Sequence, residues 1–186
     1  MITSLEPAHY VRTPWKNGGG VTVDIAVEGD AWRFGRTPIV AAGPFSDYRG
    51  FDRVQVLVAG SGLVLQTQDG EIDVRQPFRP VHFAGETPIV SRLEAGPVEV
   101  VNLIGDRSRV SIDLSCLAGT AMIARRPGVH IVYAAMSSCE VAIDAKACKV
   151  AAGHAVRIDA GENFLIASRL GTAIVASIVP VARTSD

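Results

Sequence analysis

Val54-Gln55-Val56-Leu57-Val58 runs directly into Ala59-Gly60-Ser61-Gly62, and that junction decides how the rest of the chain is read. β-Branched residues have few χ1 choices and suit a pleated surface, while glycine accepts the positive φ that a tight turn demands. The pair reads as a strand ending in a hairpin turn. Working outward, Leu63-Val64-Leu65-Gln66-Thr67, Val81-His82-Phe83, Pro88-Ile89-Val90-Ser91 and Val98-Glu99-Val100-Val101-Asn102-Leu103-Ile104 have the same character, and Asp69-Gly70 is a second turn. Apolar residues rarely keep a helical period beyond two turns. Many short strands separated by turn formers predict an all-β chain, a sandwich or barrel.

The opening stretch also has a partner later in the chain. Val54 to Val58 matches Val129-His130-Ile131-Val132-Tyr133, and Ala84-Gly85-Glu86 to Ser91 matches Ala160-Gly161-Glu162 to Ala167, at offsets of 75 (129 − 54) and 76 (160 − 84). Val98 to Ile104 pairs with Thr172 to Ile178, which sets Asn102 against Ala176. Two similar β units in tandem account for this, joined near residues 105 to 127. The second unit is rich in Ala, Val and Ile, as a packed core would be. The polar clusters lie in the first, where a working cavity is expected.

Composition narrows the function. With 48% hydrophobic and 20% charged residues the chain is globular, and 18 basic against 19 acidic residues give a formal charge of −1. No basic excess points to nucleic acid or to an anionic membrane surface. Glu6, His9 and Arg12 interrupt the N-terminus, and no later segment is long enough and free enough of charge to span a membrane, so a cytoplasmic location is expected. Cys116, Cys139 and Cys148 lack CxxC spacing and read as reduced, packed thiols. His9, His82, His130 and His154 are scattered without an HxH pair, so no metal and no cofactor are expected. Neither a GxSxG elbow nor a nucleophile with a local base stands out.

Two stretches remain. Thr13-Pro14-Trp15-Lys16-Asn17-Gly18-Gly19-Gly20-Val21-Thr22 lacks the Gly-Lys-Ser/Thr sequel of a phosphate loop, and Val21 to Val27 alternates like a strand rather than opening a helix. Three glycines beside a strand suit close backbone approach or a conformation that a side chain forbids. Gly43-Pro44-Phe45-Ser46-Asp47-Tyr48-Arg49-Gly50-Phe51-Asp52-Arg53 carries three aromatics in a loop before the opening strand. Folded over the mouth of the first unit, Phe45, Tyr48 and Phe51 would wall a pocket and Arg53 would aim a guanidinium at a carboxylate. Alternatively, Arg53 pairs with a carboxylate of the protein and pins the loop.

Trp15-Lys16-Asn17-Gly18-Gly19-Gly20 with Thr22, Gly43-Pro44-Phe45-Ser46, Gly50, Asp52-Arg53, Phe83 with Gly85, and Asn102-Leu103 resemble the HutD/Ves family over roughly residues 14 to 107. Arg49, Glu86, Val100-Val101 and Gly105-Asp106-Arg107 depart from that family's pattern. The resemblance implies a bicupin, two jelly-roll barrels in one chain, linked to histidine utilisation and binding a small carboxylate such as N-formylglutamate without a metal. On that basis residues 1–107 form an N-terminal cupin barrel with the ligand pocket, and residues 108–186 a degenerate C-terminal one. Lys16 and Arg53 are expected to neutralise the carboxylate, Asn17 and Asn102 to supply amide hydrogen bonds, and Trp15 and Phe45 to form walls. Gly18, Gly19 and Gly20 would offer backbone N–H groups, with Thr22 and Ser46 completing the site. A metal-free isomerase or hydrolase acting on such a metabolite is the alternative to a binding protein in histidine or amino-acid catabolism. A homodimer is plausible for such sheets.

Overall fold

Val54, Val56 and Val58 point to one side of their strand and Gln55 and Leu57 to the other, and all five are buried. A strand covered on both faces belongs to an inner sheet of a layered molecule, which is why its sequence is almost continuously apolar. The computed structural model describes residues 1–15, 18–143, 146–161 and 163–182.

The first half contains β1 (Ile2–Leu5), β2 (Val11–Pro14), β3 (Val21–Glu28), β4 (Trp32–Ile39), β5 (Gly43–Pro44), β6 (Phe51–Ala59), β7 (Leu63–Thr67), β8 (Gly70–Val74), β9 (Val81–Ala84), β10 (Val90–Leu93) and β11 (Val98–Asp106). The second contains β12 (Val110–Ala118), β13 (Ala121–Arg125), β14 (Gly128–Tyr133), β15 (Cys139–Ile143), β16 (Lys146–Val150), β17 (Ala155–Ala160), β18 (Phe164–Leu170) and β19 (Thr172–Pro180). The helical element described is a single 3₁₀ turn, Pro7–His9, and no helix of the described residues is long and apolar enough to cross a membrane.

Four antiparallel sheets result: β2-β3-β4-β11-β6-β9, β5-β10-β7-β8, β1-β17-β14-β19-β12 and β13-β18-β15-β16. Leu57, Leu63, Leu65 and Val100 pack between the first two, and Val132, Val141, Ile166 and Val175 between the last two. Between the six- and five-stranded sheets lies a third apolar layer, with Phe34, Val56 and Leu103 on one side and Ile131, Tyr133 and Ile174 on the other. The Phe34 and Tyr133 rings meet edge to face at 6.0 Å across it. Strand order in β4-β11-β6-β9 repeats in β12-β19-β14-β17, and that of β5-β10-β7-β8 in β13-β18-β15-β16. The tandem repeat is thus present as topology, in sheets whose hydrogen-bonded orders have free edges.

Three sequence expectations are corrected. The segment from 105 to 127 is not a connector: it carries β12 and β13, edge strands of the second half. No strand was anticipated at β4 either, where Arg33, Gly35, Arg36 and Pro38 break up the apolar alternation. The last pairing of the repeat is one residue out of register. Asn102 lies opposite Gln55, and in the second half Ser177 lies opposite His130, so Asn102 corresponds to Ser177 at the same offset of 75 (177 − 102, 130 − 55). A slip of one residue moves a side chain to the other face of a sheet, and Ala176 does belong to the opposite, inter-sheet layer. β1, finally, hydrogen-bonds to β17, so the first residues of the chain extend the sheet of the second half.

Gly60 shows why the opening strand stops where it does. Its φ is 98°, and a Cβ there would sit 2.7 Å from the Pro97 carbonyl oxygen. Only glycine satisfies both conditions.

Candidate functional site

The cross-strand register builds the site. Asp24 of β3 lies opposite Gly35 of β4, Gly35 opposite Asn102 of β11, and Asn102 opposite Gln55 of β6. One step along, Arg33, Ile104, Arg53 and Phe83 form a second row. The side chains of these rows face the β5-β10-β7-β8 sheet, where deeper positions are filled by Leu57 and Val100. Replacing those apolar positions by Asp, Asn, Gln and Arg leaves a polar cavity at one end of the sandwich. It encloses about 540 Å³ not filled by protein atoms, open solvent at its mouth included, and its walls include Trp15, Thr22, Thr37, Phe45, Ser46 and Tyr48.

Arg53 dominates its electrostatics. The residue is 7% exposed, and no carboxylate among the described residues is within ion-pair distance. Its guanidinium carbon lies 4.9 Å from the Phe45 ring centre, 5.0 Å from that of Phe83 and 5.5 Å from that of Tyr48. The aromatic faces favour a cation there, but burial pushes its pKa down to about 10. At neutral pH it remains a charged group held in an aromatic cage.

A chain of hydroxyls organises the opposite wall. The Trp15 indole Nε1 donates to Thr22 Oγ1 at 3.1 Å, the Thr22 and Thr37 hydroxyls are 3.0 Å apart, and Asn102 Nδ2 donates to Thr37 Oγ1 at 3.3 Å. Asn102 is thereby turned with its carbonyl oxygen away from Thr37. Beside it, Asp24 is held by Thr13 Oγ1 at 2.5 Å and by both ends of the Arg33 guanidinium. That ion pair closes on itself, so among the described residues lining the cavity the unneutralised charge belongs to Arg53.

The loop before β6 is clamped from outside. Arg107 donates to both Glu86 carboxylate oxygens at 2.7 Å, to Asp52 Oδ1 at 3.1 Å and to the Phe51 carbonyl at 2.7 Å. Gly85 lets the loop come close: its N–H donates to Phe51 O at 2.8 Å, its carbonyl accepts from Tyr48 N at 3.0 Å, and a Cβ there would lie 2.3 Å from Tyr48 O. Glu86 and Arg107 therefore pin the aromatic loop.

Of the residues singled out from sequence, Trp15, Thr22, Phe45, Ser46, Arg53 and Asn102 all line this cavity. Gly18 and Gly20 instead shape the turn beside it: Trp15 N donates to Gly20 O at 2.9 Å, Gly18 N donates to Trp15 O at 3.0 Å, and Gly18 has a φ of 72°. A Cβ on Gly20 would press the Trp15 ring at 3.0 Å, so this glycine seats the indole. Gly19 is exposed in the same turn, and Lys16 and Asn17 lie outside the described residues. Sequence reasoning missed Gln55, fully buried in the cavity wall, together with Asp24, Arg33 and Thr37. The signal for Gln55 was available, as the single amide within an apolar strand.

In the second half the equivalent pair is closed. His130 Nδ1 and Ser177 Oγ are 3.0 Å apart, and His130 Nε2 is 2.9 Å from Arg126 O. Burial pushes the His130 pKa down and those of the Cys116 and Cys139 thiols up, to about 12 and about 11. These are packed groups.

The chain is similar to known proteins in sequence and in fold. A 21.2 kDa Pseudomonas putida protein from the hutC 3′ region is 30% identical over 145 residues, covering 75% of this chain and 76% of its own. HutD from Pseudomonas fluorescens SBW25 superposes with a TM-score of 0.82 at 24% identity, covering 98% of this chain and all of that one. A conserved Pseudomonas aeruginosa PAO1 protein gives a TM-score of 0.84 at 21% identity over the same shares of the two chains. The HutD family model matches residues 7–175, from the 3₁₀ turn into the start of β19, and this chain belongs to the HutD family.

Proposed function

We propose that this protein binds a small anionic metabolite in the cavity of its N-terminal half, with Arg53 as the group that neutralises the ligand's charge. The observation that carries this reading is a buried guanidinium in an aromatic cage with no carboxylate partner among the described residues. Burying an ion without a counter-charge is costly, and a ligand carboxylate answers that cost with bidentate hydrogen bonds. Trp15 and Phe45 form the walls, Asn102 and Gln55 offer amides, and Lys16 and Asn17 are assigned a second cation and a third amide. Charge neutralisation by arginine makes the site independent of a metal.

The paired sheets of each half are taken as two cupin units, residues 1–107 with the ligand pocket and 108–186 as its degenerate copy. Membership of the HutD family, and a relative from the hutC 3′ region, support an accessory or regulatory role in histidine or amino-acid catabolism in the cytoplasm. Isothermal titration with N-formylglutamate, urocanate, glutamate and histidine tests the reading. A carboxylate among them is expected to bind the wild type and to lose at least about tenfold in affinity with Arg53→Ala, as removal of a buried charged partner implies. Equal binding by both proteins would overturn the assignment.

A further inference from the structure

Four buried polar atoms at this cavity find no hydrogen-bond partner among the described residues: Arg53 Nε, Gln55 Nε2, Gln55 Oε1 and Asn102 Oδ1. They are neighbours, since Gln55 and Asn102 face each other across β6 and β11 and Arg53 lies two residues before Gln55 on the same face. Buried polar atoms are nearly always paired, so four on one wall describe what the wall was shaped to meet.

Their chemistry is mixed. Arg53 and the Gln55 amide nitrogen donate, whereas the carbonyl oxygens of Gln55 and Asn102 accept. Turning the Gln55 amide over changes nothing, because both of its ends lack a partner. Asn102 donates its Nδ2 to Thr37 and presents its oxygen. A bare carboxylate accepts only, so it would satisfy the donors and leave two buried acceptors facing it. A protonated amine would satisfy the acceptors, but it would stand beside the Arg53 charge. A neutral N–H or O–H on the same skeleton as the carboxylate meets both requirements.

Resting on the anion-binding reading, we infer that Gln55 and Asn102 are a specificity-determining pair that selects carboxylates bearing a neutral hydrogen-bond donor, such as an amide N–H or a hydroxyl. Arg53 reads the charge; Gln55 and Asn102 read the donor. A site built to hydrogen-bond a substrate group rejects the analogue lacking it far more strongly than an apolar pocket rejects a missing methylene.

Two matched pairs of probes test this by titration calorimetry: N-acetylglycine against levulinate, in which CH₂ replaces N–H, and lactate against propionate, in which hydrogen replaces the hydroxyl. The donor-bearing member of at least one pair is expected to bind at least about tenfold more tightly. Gln55→Leu and Asn102→Leu are expected to reduce that preference to within about twofold, while levulinate or propionate still binds through Arg53, more weakly where the Gln55 donor is lost. Gln55→Leu removes two unpaired buried atoms without changing the size of the side chain much, so its melting temperature is expected to match or exceed the wild type and reports that it folds. Binding without preference in both pairs, or a preference that survives both substitutions, overturns the inference and leaves the anion site standing. Binding of none of the four probes to the wild type overturns the anion reading and this inference together.

Discussion

Arg53 is a residue the fold would be more stable without. Burial pushes its pKa down from the ordinary arginine range to about 10, a shift that corresponds to about 3 kcal/mol against the charged form. Cation–π attraction to Phe45, Tyr48 and Phe83 recovers about 1–2 kcal/mol of the kind of cost that burial imposes. Arg53→Met keeps the length and the aromatic contacts and removes the charge. It is expected to stabilise the free protein by about 1–2 kcal/mol, read as a melting temperature higher by several degrees, while abolishing anion binding. The pH dependence has a definite sign. The folded pKa is depressed below the unfolded value, so the penalty is present below pH 10 and is relieved as pH rises above about 10 toward the ordinary arginine range. The advantage of the methionine variant should therefore shrink over that interval in denaturant titrations. A variant less stable than wild type at pH 7 would show that Arg53 is a structural cation.

At the scale of elements, the aromatic loop owes its position to a clamp whose titration can be followed. Arg107 holds Glu86 down at about 2, from an ordinary 4.5, chiefly through their hydrogen bonds. A carboxyl with a depressed folded pKa contributes stability above its unfolded value and loses it as pH falls through its folded one. Melting temperature should thus fall between about pH 4.5 and pH 2, and Arg107→Gln should have a flatter acid limb; parallel curves would remove the clamp from the account. Gly85→Ala attacks the same loop sterically, since the new Cβ would lie 2.3 Å from Tyr48 O. It should cost about 1–3 kcal/mol and weaken anion binding with it, because Tyr48 is one face of the aromatic cage around Arg53. Strands such as β7 and β11 were legible as apolar runs bounded by turn formers, Asn102 because it interrupts such a run, and Arg53 because it opens one after an aromatic loop, in a half with a glycine-rich motif. β4 was hidden because its polar residues serve the cavity on one face and pair with Glu99 on the other. Gln55 stood in full view in an apolar strand, but one amide in one strand does not announce that Asn102 lies opposite. That is a fact of register, and the repeat alignment was one residue out just there.

For the whole molecule the consequential feature is the layer between the two large sheets, which sequence periodicity could not show because it records that a strand has two apolar faces, not what covers them. Phe34, Val56 and Leu103 from one half and Ile131, Ile174 and Tyr133 from the other are at most 1% exposed. Neither half buries these side chains alone, and fully burying each contributes about 1.5–3 kcal/mol. β1 adds a second tie by pairing Ile2 to Leu5 with β17. Two halves that share an apolar layer and a strand should unfold together. Calorimetry is accordingly expected to show one transition, with calorimetric and van't Hoff enthalpies agreeing. Ile131→Ala, opposite the pocket-bearing half, should cost about 2–5 kcal/mol and lower the midpoint of that one transition. Anion binding then becomes a reporter of the same cooperativity. Saturating ligand in the first half should raise the melting temperature of the entire chain, including signals from the second half, by the amount that mass action at one site dictates. If the second half melted at an unchanged temperature while the first was protected, the shared layer would have to be a contact between two independently stable units.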